Sequence, residues 1–200
     1  MKDCDQPRLI IISGPSGAGK STVVEGLMSE CRLPLQLSVS ATTRPPRPGE
    51  EDKKHYFFLS DDQFARLRSE DAFLECKEVF GQGHWYGTLR EQVAAGLADG
   101  KWVILEIDVQ GALAVLEKDE FNPITLFIHP GGMEELERRL RNRGTESEEA
   151  ITRRLETAGR EMRYLHRYQY EIINGNVDTA VAEICQLLND QKEKNPCSKS

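Results

Sequence analysis

The chain has 200 residues, 38% hydrophobic and 30% charged, with a net charge of −7 at pH 7. That balance suits a globular domain with its own core, and the acidic excess argues against a general affinity for nucleic acid or anionic membrane while allowing a local basic pocket. Its apolar runs fall far short of the roughly 20 residues that cross a bilayer. Met1 to Pro7 lacks a signal-peptide apolar stretch. The cysteines (Cys4, Cys31, Cys76, Cys185, Cys197) are odd in number and show no CxxC spacing. Neither a disulfide framework nor a zinc site is expected, and a cytoplasmic location is.

Leu9-Ile10-Ile11-Ile12 is a β-branched run stopped by Gly14-Pro15, the pattern of a buried strand. From Lys20 to Cys31, Val23, Val24, Leu27 and Met28 fall at helical spacing. Residues 37 to 88 break the rhythm, with β-like pieces at Leu37 to Ser40, His55 to Leu59 and Phe73 to Phe80 around a short helix from Asp61 to Arg68. Alternation then resumes: helices are predicted over 89–98, 109–117, 133–141, 147–167 and 177–191, and buried strands over Trp102 to Asp108, Ile124 to Ile128 and Tyr170 to Ile173. Residues from about Lys192 to Ser200 read as a polar tail. Strands that are apolar throughout and alternate with helices imply an α/β fold with a parallel sheet covered on both faces.

Gly14-Pro15-Ser16-Gly17-Ala18-Gly19-Lys20-Ser21 fits G-x-x-x-x-G-K-[ST] between a strand and a helix, the context of a phosphate-binding loop. Glycines let successive N–H groups turn toward a phosphate, and the helix N-terminus adds partial positive charge. Lys20 is placed for the β- and γ-phosphates of a nucleoside triphosphate, and the Ser21 hydroxyl for Mg²⁺. Asp108, closing a buried strand, is placed as the acidic partner of that metal, as the N-cap of the next helix, or as both. His55, His84, His129 and His166 are scattered and carry no assigned chemistry.

Arg44 and Arg47 stand three apart, stiffened by Pro45, Pro46 and Pro48, an arrangement suited to a phosphate monoester. The stretch Ser38-Val39-Ser40-Ala41-Thr42-Thr43-Arg44-Pro45-Pro46-Arg47-Pro48-Gly49-Glu50 resembles the guanylate kinase signature S-x-[ST]-T-R-x-P-R-x-G-E. The similarity continues through Tyr56-Phe57-Phe58, Phe73-Leu74-Glu75, Trp85-Tyr86-Gly87-Thr88, Ile107-Asp108-Val109-Gln110-Gly111, Arg143-Gly144-Thr145-Glu146 and Arg153-Arg154-Leu155, covering roughly residues 8 to 190.

The resemblance implies a P-loop kinase-type sheet with a small β-rich GMP-binding insertion and a helical lid. The expected divisions are core 1–36, GMP-binding 37–88, core 89–138, lid 139–160, core 161–191 and tail 192–200. It implies transfer of a phosphoryl group from Mg-ATP to GMP, with small-molecule partners only and a monomer or homo-oligomer. Lys20, Arg44, Arg139, Arg143 and Arg154 would surround the transferred group. Gly14 to Thr22 and Asn174 would bind ATP. Ser40, Arg44, Arg47, Tyr56, Glu75, Tyr86, Thr88 and Asp108 would bind GMP, and Ser21 with Asp108 would hold Mg²⁺.

Glu75 would read guanine, because a carboxylate accepts from N1–H and the 2-amino group together. Arg138, Arg141, Arg160, Arg163 and Arg167 interleave with glutamates and read as solvated helix faces. The sequence departs from the family pattern at Asn174-Gly175-Asn176, at Lys53 where relatives carry glycine, and in a longer Gly81-Gln82-Gly83-His84 turn. Two other readings are a catalytically silent protein-interaction module and a kinase of the same architecture with another phosphorylated acceptor.

Overall fold

The computed structural model describes residues 7–79, 83–142 and 147–194. Its centre is a five-stranded parallel sheet in the order β2-β7-β1-β8-β9, formed by Leu35–Leu37 (β2), Trp102–Glu106 (β7), Leu9–Ser13 (β1), Ile124–His129 (β8) and Tyr170–Ile173 (β9). Successive side chains leave opposite faces of a strand. Ile10 and Ile12 accordingly pack with Val23, Val24 and Leu27 of α1 (Lys20–Glu30) and with Val181, Ile184 and Leu188 of α7 (Val177–Lys194). Leu9 and Ile11 pack on the other face with Val93 of α3 (Arg90–Ala98) and with Val109 and Ala112 of α4 (Val109–Lys118). Fully burying each such side chain contributes about 1.5–3 kcal/mol, which explains why Leu9–Ile12 and Trp102–Leu105, packed on both faces, are apolar.

A second sheet, in the order β4-β3-β6-β5, comprises Phe57–Phe58 (β4), Ala41–Thr42 (β3), His84–Leu89 (β6) and Phe73–Val79 (β5). It closes over α2 (Asp61–Ser69), which starts with a capping box between Ser60 and Gln63, and Phe64 stacks on Phe73 at 4.4 Å between ring centroids. The piece expected over Leu37 to Ser40 is divided between the two sheets. β2 ends at Leu37, Ser38 N–H still donates to Ile104 O, and β3 begins in the second sheet at Ala41. Lys53 adopts φ 64°, the left-handed region that glycine occupies without strain.

Two helices complete the chain. α5 (Met133–Asn142) and α6 (Glu148–Met162) share a small core of Leu136, Leu140, Ile151, Leu155 and Ala158. The sequence pattern predicts one helix over 147–167. The helix instead stops at Met162, and a single 3-10 turn follows over Leu165–Arg167. The break turns Tyr164 and Leu165 into the second face of the main sheet and sets Tyr168 edge-on to Phe127 at 5.0 Å. α7 runs to Lys194, beyond the expected start of the tail. Phe80, Gly81, Gln82, Arg143, Gly144, Thr145, Glu146, Cys4 and Cys197 lie outside the described residues.

Candidate active site

Parallel sheets present their sites at the carboxyl ends of the strands. There, β1 runs into the Gly14–Gly19 loop and the loop runs into α1. Gly14 has φ 137°, and a Cβ on it would stand 2.0 Å from the Ile128 carbonyl oxygen, so only glycine lets the loop leave the sheet here. Gly19, with φ 84°, caps α1 without a side-chain bond, leaving the first N–H groups of the helix for an anion. Lys20 lies back along the loop, its Nζ donating to the carbonyls of Gly14 at 2.7 Å and Pro15 at 3.2 Å. Burial pushes its pKa below the usual lysine value, while Glu106 and Glu161 oppose that shift.

The acidic residue at Ser21 is Glu106, not Asp108. β7 pairs with β1 so that Glu106 stands beside Ile12, and the Ser21 hydroxyl donates to Glu106 Oε1 at 2.6 Å. Asp108 caps α4, with Oδ1 accepting the Gly111 N–H at 2.9 Å, and pairs through Oδ2 with Lys77. Sequence reasoning missed Glu106 because Glu106 and Asp108 are two apart, and only the β1–β7 register says which one reaches the loop. A hydroxyl and a carboxylate side by side are hard oxygen donors that suit Mg²⁺, an ion normally held by one or two protein oxygens plus phosphates and water. No cluster of three or more His, Cys, Asp or Glu with metal-binding geometry occurs among the described residues.

The second sheet faces this loop across a cavity of about 880 Å³. A bulge between Phe73 and Glu75 resets strand parity. Phe73 and Cys76 therefore both enter the small core, while Glu75 and Lys77 line the cavity. Glu75 pairs in register with Thr88, whose hydroxyl donates to Glu75 Oε1 at 2.7 Å. Burial raises the Glu75 pKa, and the Thr88 hydroxyl and the Lys77 charge act against that rise. Ser40, Tyr56 and Tyr86 line the same wall. The two tyrosine rings meet edge-on at 5.9 Å.

Arg44 is buried behind Tyr86 and does not line the cavity. Its Nε donates to the Tyr86 hydroxyl at 3.0 Å, Nη2 and Nη1 make a bidentate pair with Glu50 at 2.9 and 3.0 Å, and Nη1 also donates to Pro45 O at 2.7 Å. This pairing holds the Glu50 carboxyl near pKa 2, helped by the Arg47 backbone N–H. Arg44 is thus the tie that folds the proline-rich loop onto Tyr86, a role its spacing did not reveal. Arg47 is exposed; its backbone N–H donates to Glu50 at 2.7 Å, and its side-chain charge also bears on that carboxylate.

α6 supplies the last wall. Arg154 of α6 reaches the P-loop, its Nη2 donating to Ser16 Oγ at 2.8 Å. Arg153, Arg160 and Glu161 line the cavity as well, so Arg160 is a wall residue and not merely part of a solvated face. Arg139 does not line the cavity; it is bonded to Glu135 and to the Asn174 carbonyl at 2.7 Å. Asn174, 1% exposed, turns its amide under the loop, with Nδ2 donating to Ala18 O at 2.8 Å. It braces the loop from below instead of presenting an open face to a base. Thr22 is exposed on α1.

A phosphate-binding loop thus faces a carboxylate-bearing pocket across one cavity. Comparison with known proteins agrees with this arrangement. A family model described as guanylate kinase matches residues 6–191. A guanylate kinase of Rhodopirellula baltica is 67% identical over 96% of this chain and 92% of its own length. Those of Caldanaerobacter subterraneus and Escherichia coli are 49% and 44% identical, each over 94% of this chain and 89% of their own length. The crystal structure of guanylate kinase from Anaplasma phagocytophilum superposes with a TM-score of 0.71 at 29% identity, covering 94% of this chain and 87% of that one. With the family match running through the loop, the pocket and α6 alike, the chain belongs to the guanylate kinase family.

Proposed function

We infer that the protein transfers the terminal phosphoryl group of ATP to GMP, giving ADP and GDP. The observation that carries this reading is that Lys20 and Ser16 of the loop and Glu75, held by the Thr88 hydroxyl behind it, line one cavity. A donor triphosphate in the P-loop and an acceptor base on Glu75 leave the two phosphate groups to meet between them.

The nucleophile is an oxygen of the acceptor phosphate, already ionised at neutral pH, so no general base is required. Catalysis then rests on positioning and charge neutralisation during a loose, in-line transfer. The P-loop N–H groups and Lys20 cradle the donor phosphates. Arg154, already on the P-loop at Ser16, offers its guanidinium to the transferring group. Tyr56 and Tyr86, with Arg44 behind them, hold the acceptor phosphate, and Arg47 lies beside them on the proline-rich loop. Glu75 and Ser40 read the base. Ser21 and Glu106 would hold Mg²⁺, which supplies charge neutralisation across the donor phosphates. α5 and α6 serve as the lid over 139–160, and the second sheet as the acceptor-binding unit over 37–88. Closure of the two excludes water and so suppresses hydrolysis of ATP. The free thiols of Cys31, Cys76 and Cys185 fit a reducing, cytoplasmic setting.

The test is a coupled ADP-release assay with Mg-ATP and each of GMP, AMP, CMP and UMP. Turnover with GMP alone is expected. Turnover with another monophosphate would retain the fold and overturn the Glu75 assignment. No turnover, with GMP still raising the melting temperature, would make the protein a binding module.

A further inference from the structure

Lys77 is a cation of the cavity wall that the proposed function leaves without a role. Lys77 lies on β5 two residues after Glu75 and lines the same cavity wall. The β5–β6 register pairs Glu75 with Thr88 and Lys77 with Tyr86. The wall therefore consists of two rows about 7 Å apart, the rise of two strand residues. The first row carries the carboxylate and hydroxyl that face the base. The second carries a tyrosine assigned to the acceptor phosphate and, directly across from it, a lysine.

The surroundings of Lys77 point the same way. Its ammonium pairs with Asp108 of the core, and the field of Glu75 and Glu161 also bears on it. Its charge is felt by Lys20 on the donor side. Lys77 thus shares one cavity with Glu75 and with the P-loop lysine, opposite Tyr86. Both members of the Lys77–Asp108 pair keep 31% of their side-chain surface exposed within the cavity. A pair exposed to this degree contributes little to stability. Asp108 meanwhile already has its capping bond to Gly111 through its other oxygen. A phosphate monoester, with close to two negative charges at neutral pH and three acceptor oxygens, competes well for an ammonium held this loosely.

We propose that Lys77 is a further acceptor-binding residue, its ammonium meeting the phosphate of GMP in the row it shares with Tyr86, with Asp108 aiming it there. Lys77 also screens the incoming phosphate from the Asp108 carboxylate. The proposal rests on the acceptor site assigned above. Lysine suits the task because it acts as a mobile point charge that can change partners without the fixed fork geometry of arginine.

The test separates phosphate from base. Dissociation constants for GMP and guanosine are measured by calorimetry, with guanosine in competition against GMP, for the unaltered protein, Lys77→Met and Lys77→Arg. Methionine keeps an unbranched apolar stem, and Lys77→Gln is the second variant should Lys77→Met lower the unliganded melting temperature. Loss of the ammonium is expected to weaken GMP about tenfold while leaving guanosine within about twofold, and Lys77→Arg is expected to recover most of the loss. Equal weakening of GMP and guanosine would overturn the proposal, since Lys77 would then only shape the wall. So would unchanged affinity for both. Failure of the underlying reading has a different signature, namely unaltered protein that binds GMP no more tightly than AMP.

Discussion

Glu75→Gln is the sharpest probe of base recognition, because it changes one atom's chemistry and almost no volume. The carboxylate can accept from guanine N1–H and from the 2-amino group at once, each a charge-assisted bond of about 1.5–3 kcal/mol. The structure dictates how a glutamine must sit. The Thr88 hydroxyl, donating at 2.7 Å to Oε1, holds the amide oxygen at that position. The amide nitrogen then takes the place of Oε2, the oxygen on the Gly111 side. One guanine donor keeps a neutral acceptor and the other faces an N–H. Trading two charge-assisted bonds for one neutral bond and one opposed donor costs about 3–5 kcal/mol, or roughly a hundred- to a few-thousand-fold in kcat/KM for GMP.

Inosine monophosphate, which lacks the 2-amino group, turns this into a cycle. The unaltered protein should prefer GMP over it by about 10- to 150-fold, the worth of one charge-assisted bond. In Glu75→Gln the preference should fall to that of one neutral bond, about 2- to 12-fold, or below. ADP release coupled to NADH oxidation measures all four values of kcat/KM, and the unliganded melting temperature confirms folding. A GMP-to-IMP ratio that survives the substitution would refute the assignment of Glu75 to the base.

Four further outcomes are expected. Because burial raises the Glu75 pKa and only its ionised form accepts both guanine donors, KM for GMP should climb as pH falls, beginning above the ordinary carboxylate value of 4.5. KM for ATP should not follow, and this limb should vanish in Glu75→Gln; its persistence there would assign it to another group. Lys20→Ala should abolish transfer without changing the melting temperature, and near-normal turnover would remove the P-loop mechanism. Glu106→Gln should raise the Mg²⁺ concentration for half-maximal rate about tenfold, more than Asp108→Asn does, and the reverse order would return the metal to Asp108. In Gly14→Ala the Cβ meets the Ile128 carbonyl oxygen, so a penalty of about 3–5 kcal/mol and a fall of about 10 °C or more are expected by calorimetry; an unchanged transition would mean that β1 and β8 can separate there.

The route from sequence to site was uneven, for physical reasons visible in particular residues. The P-loop was legible because its parts are contiguous. A β-branched run, a set of glycines and a lysine that opens a helix each act on neighbours in the chain, and Gly14 and Lys20 sit in the structure as that pattern implies. The buried strands were legible because a sheet covered on both faces draws mostly apolar residues, with Ser13, Thr125 and His129 as buried exceptions. The signature around Arg44 pointed to the acceptor side, and Glu75, Tyr56 and Tyr86 do share a wall.

What escaped were relations between distant segments. The choice of Glu106 over Asp108 beside Ser21 depends on the register of β7 against β1. Arg44 reads as a free phosphate ligand until the loop closes and brings Glu50 and Tyr86 to its fork. Asn174 sits deep under Ala18 because β9 lies at the edge of the sheet next to β8, which no local pattern encodes. The bulge before Glu75, which turns both it and Lys77 into the cavity, arises only once Phe73 and Cys76 compete for the small core. Local backbone preference and hydrophobic periodicity act over a few residues, and to that range the sequence alone determined the fold class, the phosphate loop and the acceptor signature. Register, parity and side-chain pairing across strands are set by packing between segments far apart in the chain, so only the tertiary structure decided which carboxylate meets the P-loop serine and which cations line the cleft.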